Sequence, residues 1–429
     1  MPSPSTSRRG FLAAAGAAAL AGCSTVERVA SSGDRAALRD ALGDVPAVSR
    51  GVSVTADHVQ SAQSRFESEL SALQSLVEVT EQREAMERDV AERHRRLAQH
   101  RKEIAAMTDD WETVDELRFL TAAAVNQAAY LRAWRGELTP ADVRSALDDL
   151  RTDLGDADDR LAYDRGTRHQ VVPQLALAEE RLRRARDVPE YLQRNLSNIR
   201  FESLDAARAD GDPNADYAWP VAHVASGVAR GRLHLEDVSR LVTAHPRSEA
   251  HADSLVAAYD ALHPEVRARY EEASPMDRWY EYGMPHVAKL GSADDFLGRA
   301  AEFRERGHLG TAVRETLLAS VVLPAQVELT DRLPALEADS LTPEHAAAVG
   351  KGAHVAFRGA VENAASVVGL SLLHPVREAL VTADDAVRRS SDGNSVRIEA
   401  LRKAYLRYAF VASASRAVPD AVRRFERTG

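Results

Sequence analysis

The sequence predicts an all-α protein, in which an elongated antiparallel helical bundle with coiled-coil seams is followed by a more compact multi-helix domain. Three observations predict it. Apolar residues recur at alternating steps of three and four along most of the 429 residues, the pattern of helices that bury one face. Capping residues and glycines stand where those stripes begin and end. No run of alternating apolar and polar residues reads as a strand. With 45% hydrophobic and 28% charged residues, the chain is ordinary for a globular protein and long enough to bury the cores of two or three domains.

Taken in order, residues 1–22 read as a targeting signal, 23–53 as a flexible tether, 54–211 as a long-helix, coiled-coil-like domain and 212–429 as a compact helical domain. The tether holds Ser, Thr, Gly and Pro46, with a short helical stretch near Arg35 to Leu42. Between Thr55 and Met107 there is neither Pro nor Gly. One apolar row there is Val59, Phe66 and Leu73, and the other is Ala62, Leu70 and Val77. The pattern resumes at Val90, Leu97 and Ile104 after two heptads plus three residues, a stammer that overwinds a coiled coil. As one continuous helix the segment is on the order of 80 Å long. Its seam, 55–107, is the surface expected to take a protein partner or a second copy of the chain.

Asp110 can cap a helix from Trp111 to about Arg135, ended by Gly136. Thr139-Pro140-Ala141-Asp142 starts the next, with Thr at the N-cap, Pro at the first helical position and Asp at the third. Its stripe is Val143, Leu147, Leu150, Leu154, Ala157 and Leu161. Val171, Leu175, Ala178, Leu182 and Ala185 continue the pattern beyond a break near Gly166. Asp210-Gly211-Asp212-Pro213-Asn214 is the strongest interior turn cluster and is read as a domain boundary. Ser274-Pro275-Met276-Asp277, Ser292-Ala293-Asp294-Asp295 and Thr342-Pro343-Glu344 read as helix starts. His245-Pro246, His263-Pro264 and His374-Pro375 are expected to punctuate helices, and Arg-Gly-x-Leu at Arg135, Arg230 and Arg306 to stop them. Small residues Gly352, Gly359 and Ala364 within 345–373 are expected to let other helices approach closely. Phe296, Phe303, Gly307, Ala312, Ala319 and Pro324 resemble one tetratricopeptide hairpin. Neighbouring windows do not repeat the pattern, so a single hairpin is expected.

The first 23 residues carry the clearest message. Arg8 and Arg9 form a basic n-region, residues 11 to 22 form an apolar stretch too short to span a bilayer, and Leu20-Ala21-Gly22-Cys23 closes it. Ser7-Arg8-Arg9-Gly10-Phe11-Leu12 resembles a twin-arginine export signal, and the closing tetrapeptide resembles the lipobox of exported lipoproteins. That resemblance implies a lipid on Cys23 and a protein anchored on the outer face of the cell membrane. Ala13 stands where many such signals carry Lys. Cys23 is also the only cysteine, so its acylation leaves no thiol chemistry, disulfide or cysteine-rich metal site.

The formal net charge is −10, and loss of the two leader arginines takes it to about −12. Arginines alternate with Asp and Glu along most helices, which argues against nucleic acid as a partner. Lysine occurs only at Lys102, Lys289, Lys351 and Lys403. This composition resembles that of salt-loving archaeal proteins, whose acidic surfaces keep them soluble. A high-GC genome gives the same Arg and Ala enrichment.

Motifs for common hydrolases, phosphate loops, dinucleotide turns and zinc helices are absent, and the sequence assigns no catalytic residue and no cofactor. His245 with Glu249 and His374 with Glu378 stand four residues apart and could offer two metal ligands each, with His251 near the first pair. A metal needs three or four ligands, and a His before Pro at a helix start can instead bond the backbone. Glu305-x-x-His308 resembles half of a di-iron carboxylate helix, without a second half. Trp279, Tyr280 and Tyr282 crowd three aromatics into four positions of a chain only 5% aromatic. They read as a ligand or partner contact, or as core at a helix end; Tyr217 and Trp219 could line the same cleft or seal the domain junction. The expected function is a non-enzymatic, membrane-anchored scaffold or partner-binding ectodomain. The alternative is capture of a small molecule or metal by the compact half.

Overall fold

The computed structural model describes residues 27–29, 36, 38–40, 42–80, 86–104, 107, 109–155, 157, 161, 163–198, 215–273, 292–337, 341–364, 366–391 and 395–428. The protein is all-α. Cys23, Arg8, Arg9, Phe11 and Leu12, the turn cluster at 210–214, the start at 274–277, and Trp279, Tyr280 and Tyr282 lie outside the described residues. No helix among the described residues is long and apolar enough to cross a membrane.

The helices of the first half are α1 (Ala56–Thr80), α2 (Met86–Ile104), α3 (Asp110–Trp134), α4 (Pro140–Gly155), α5 (Arg168–Asn198) and α6 (Ala215–Thr243). Residues 55–107 do not form one long helix. Arg101 Nη2 of α2 lies 2.8 Å from Glu67 Oε1 of α1, whereas 34 residues of continuous helix would hold them roughly 50 Å apart. The three-residue slip at the stammer turns the second apolar row away from the first. One straight rod therefore cannot bury both, and folding back does. Ala62, Phe66, Leu70 and Leu73 are buried and α1 packs along α3, so the heptad seam is satisfied within the chain.

The cap of α3 is Asp109, one residue earlier than expected, accepting from Glu112 N. Thr139 and Asp142 cap α4 reciprocally. Val143, Leu147, Leu150, Leu154 and Ala157 are all buried. Gly136 (φ 76°) and Gly307 (φ 77°) take the left-handed conformation just past helix ends. The third Arg-Gly pair does otherwise: Gly231 sits inside α6, where an added Cβ would lie 2.7 Å from Leu150 Cδ2. That glycine serves a helix crossing, not a stop.

The second half contains α7 (Ala252–Ala273), α8 (Ala293–Glu305), α9 (Leu309–Glu337), α10 (Pro343–Glu362), α11 (Val367–Ser391) and α12 (Ile398–Arg427). Ser292 with Asp295 forms a capping box and Thr342 caps α10. Helices α8 and α9 form the expected single hairpin about Gly307. His263-Pro264 and His374-Pro375 do not end helices; both lie inside, in α7 and α11. Burial of Leu262 and Val266, and of Leu372, Leu373 and Val376, offsets the backbone hydrogen bond each proline removes. Gly352 and Gly359 face open space; the close approach on α10 is Gly350 against the Tyr408 ring.

Helix α6, assigned from sequence to the compact half, packs on α3 and α5 of the first. Helix α5 joins the halves. Residues 171–179 are buried on every side, because α6 covers one flank and α9 and α11 another. The segment read as a tether is held on the body from Leu38 onward: Leu38 and Val48 are buried, Arg377 donates to Pro46 O, and Gln174 pairs with both backbone groups of Ser53. Two three-residue strands complete the fold. Glu27–Val29 (β1) pairs antiparallel with Ser395–Arg397 (β2), Glu27 opposite Arg397.

Candidate functional site

Three helices of the first half enclose an aromatic groove of about 290 Å³. Phe119, Ala122, Ala123 and Asn126 come from α3; Val188, Tyr191 and Leu192 from α5; Trp219, His223, Ser226 and Arg230 from α6. Each set follows three- and four-residue steps, so each helix turns one stripe toward the groove. Phe119, Tyr191 and Trp219 are 59%, 55% and 49% exposed. They are three of the four exposed large hydrophobic side chains among the described residues, and their meeting in one groove is what a recognition surface shows. Trp219 is braced edge-on by Tyr130 at 6.3 Å, and Tyr191 Oη lies 3.2 Å from His223 Nε2. Gln127 donates to Asn126 Oδ1, which leaves the Asn126 amide nitrogen as a donor.

Among the described residues no Asp or Glu lines the groove. Among the described residues the one charged side chain in its lining is Arg230, which is exposed and makes no ion pair there. Ser226 is buried at the groove wall, its hydroxyl without a partner among them. A larger groove of about 370 Å³ on another face of α3 and α6 differs in kind: no aromatic among the described residues lines it, and its Arg65 pairs with Glu69.

The residues singled out for metal binding separate. His245 lies past the end of α6, half-buried, with burial pulling its pKa down, while Glu249 is exposed on the following loop. The helical spacing assumed for them does not apply. His374 Nδ1 is 3.8 Å from Glu378 Oε1, and its Nε2 is 3.8 Å from Glu112 Oε1 of α3. Burial, aided by Arg50, Arg314 and Arg377, pushes its pKa down to about 3. Among the described residues no group of three or more His, Cys, Asp or Glu is placed to hold a metal ion.

Two buried clusters escaped the sequence reading. In the first half Asp237 Oδ1 receives His58 Nε2 at 3.0 Å and Arg118 Nε at 3.0 Å. In the second, Asp384 Oδ1 receives His354 Nε2 at 3.1 Å and Tyr408 Oη at 2.8 Å. Both are closed to solvent, so they tie helices rather than meet a substrate. Their members stand 24 to 179 residues apart, beyond any local motif. Of the aromatics singled out in the sequence, Trp219 lines the groove; its spacing to His223, Ser226 and Arg230 was the available signal.

Residues 57–251 match a family described as a domain of unknown function (DUF8262), and residues 249–427 match a second domain of unknown function (DUF8264). No curated protein and no solved structure matches the chain. The groove lies wholly in the part similar to the first of these families, and helices α5 and α9 meet across the two.

Proposed function

We propose that the protein is an exported, lipid-anchored helical ectodomain that captures a small amphiphilic anion, with an apolar or planar body and a carboxylate, in the groove between α3, α5 and α6. The leader and Cys23 support the address. The observation that carries the binding reading is the convergence of Phe119, Tyr191 and Trp219 on one groove whose only charge among the described residues is Arg230. Aromatic faces take the apolar body, and Arg230, the Asn126 amide and the Ser226 hydroxyl offer donors to the carboxylate. The volume sits near the lower end of ligand pockets, roughly 300–1,000 Å³, which favours a small molecule over a protein segment. Helix α1 packs its apolar row on α3, which supports placing the recognition surface at the groove. The acidic balance also disfavours nucleic acid.

Thermal unfolding of the mature chain with indole-3-acetate, its neutral amide and the corresponding amine tests the reading. A ligand that binds only the native state raises the melting temperature. The acid should raise it most and the amine least; Arg230→Ala should erase the difference between acid and amide, and Trp219→Ala should erase binding of both. No shift with any of the three, in wild type, sinks the groove reading. The anchor is tested separately: Cys23→Ser should release the chain from the membrane fraction.

A further inference from the structure

Glu179 ends the run of α5 residues buried on all sides and is itself fully enclosed. Its Oε1 accepts from Gly310 N at 3.1 Å and its Oε2 from Thr311 N at 2.6 Å. Those amides belong to the first turn of α9, where no helical carbonyl can reach them. A carboxylate from the half similar to one family thus caps a helix in the half similar to the other. The approach is close: a Cβ on Gly310 would lie 2.6 Å from Leu175 Cβ and 2.9 Å from Ala176 N of α5. Thr311 Oγ1 adds a bond to Ala176 O.

Tyr163 supplies the remaining partner. Its hydroxyl lies 2.9 Å from Glu179 Oε1 and 2.9 Å from Gly307 O, yet has one proton to give. With Glu179 ionised, Tyr163 donates to the carboxylate. With Glu179 protonated, the acid donates to Tyr163 Oη, and Tyr163 donates to Gly307 O. Both states are hydrogen-bonded, and one proton is the whole difference between them.

We propose that Glu179 and Tyr163 form a proton-operated latch between the two halves, tight when Glu179 is protonated and loosened when it ionises. Glu179 makes no ion pair among the described residues; the charged and titratable groups near it are engaged elsewhere. On α5, Glu180 pairs with Arg184, Arg181 with Asp115 and His234, and Arg183 with Asp187. On α9, Arg314 pairs with Glu315, and Arg306 before it with Glu302. His308 stacks on Phe303, and His374 of α11 sits between Glu112 and Glu378. Burial therefore outweighs the hydrogen bonds from Thr311, Tyr163 and Gly310 and raises the Glu179 pKa to about 7.

The sign follows. The docked halves hold a proton that separated halves, with an ordinary carboxyl pKa of 4.5, would release. Docking is therefore strongest below that value and weakens as pH rises through about 7, by up to about 300-fold in the docked-to-open ratio.

The test is hydrogen exchange at the first turn of α9, corrected for its intrinsic pH dependence, together with melting temperature from pH 5 to 8.5. Wild type is expected to lose protection as pH rises, and Glu179→Gln to stay flat, because its amide copies the protonated acid. Comparing the two chains cancels other groups, including His234 and His374. Their pKa values, lowered to about 3, give the opposite slope, with stability lost as pH falls below about 6.5. Equal pH dependence in both chains overturns the latch. If Glu179→Gln does not fold, Tyr163→Phe decides. It takes a donor from the ionised form and the proton's acceptor from the protonated one, so the transition should be displaced from its wild-type pH, and an unmoved transition overturns the proposal.

Discussion

The two halves solve one packing problem with different chemistry. Each buries an aspartate where three helices meet, each offers a single oxygen to two donors, and each leaves Oδ2 without a hydrogen-bond partner among the described residues. In the first half the donors are His58 of α1 and Arg118 of α3, and Arg118 also reaches Glu236 at 3.2 Å. In the second they are His354 of α10 and Tyr408 of α12. One cluster balances a buried carboxylate with an arginine; the other holds it with His354 and Tyr408, and burial beside Asp384 drives the Tyr408 pKa well above its usual range. A cation holds a carboxylate more strongly than a phenol does, but its loss leaves more unbalanced charge. The cluster around Asp237 is therefore expected to be the more sensitive of the two to loss of one partner.

The largest expected effect tests that contrast. Arg118→Met strands Asp237 in the core and should cost about 3–5 kcal/mol in denaturant unfolding. Adding Asp237→Asn should return part of the loss, because the stranded charge is gone. Tyr408→Phe removes one neutral donor and should cost about 1–3 kcal/mol. Equal losses in the two single variants would break the comparison. A Tyr408→Phe loss near the upper figure would show that the phenol carries more of the second cluster than His354 does.

What the sequence made legible was local. The stripe from Val143 to Ala157, the reciprocal cap of Thr139 and Asp142, and the stops at Gly136 and Gly307 are set by neighbours within one or two turns. The fold-back of residues 55–107 was hinted at by the stammer, whose phase slip no single helix could absorb. The position of α5 was half-visible. Val171, Leu175 and Ala178 mark one face, but Val172, Ala176 and Leu177 supply the others, and only a helix covered on several sides uses all of them. The aspartate clusters, Glu179 and the groove were not legible, because their members are brought together across 16 to 179 residues by packing. Spacing along α6 marks Trp219, His223 and Arg230 as one stripe; whether that stripe meets core or solvent depends on how far α3 and α5 reach.

The short pairing of Glu27–Val29 with Ser395–Arg397 bears on how the molecule would stand at a bilayer. Cys23 precedes Glu27 by four residues, at most about 14 Å of extended chain. If Cys23 carries the lipid, the mooring line is short and is made fast to the half containing α12, further lashed by the contact of Pro46 with Arg377. The half that bears the groove is coupled to that half through contacts that include Glu179. Slackening there would let the groove swing while the mooring stays still.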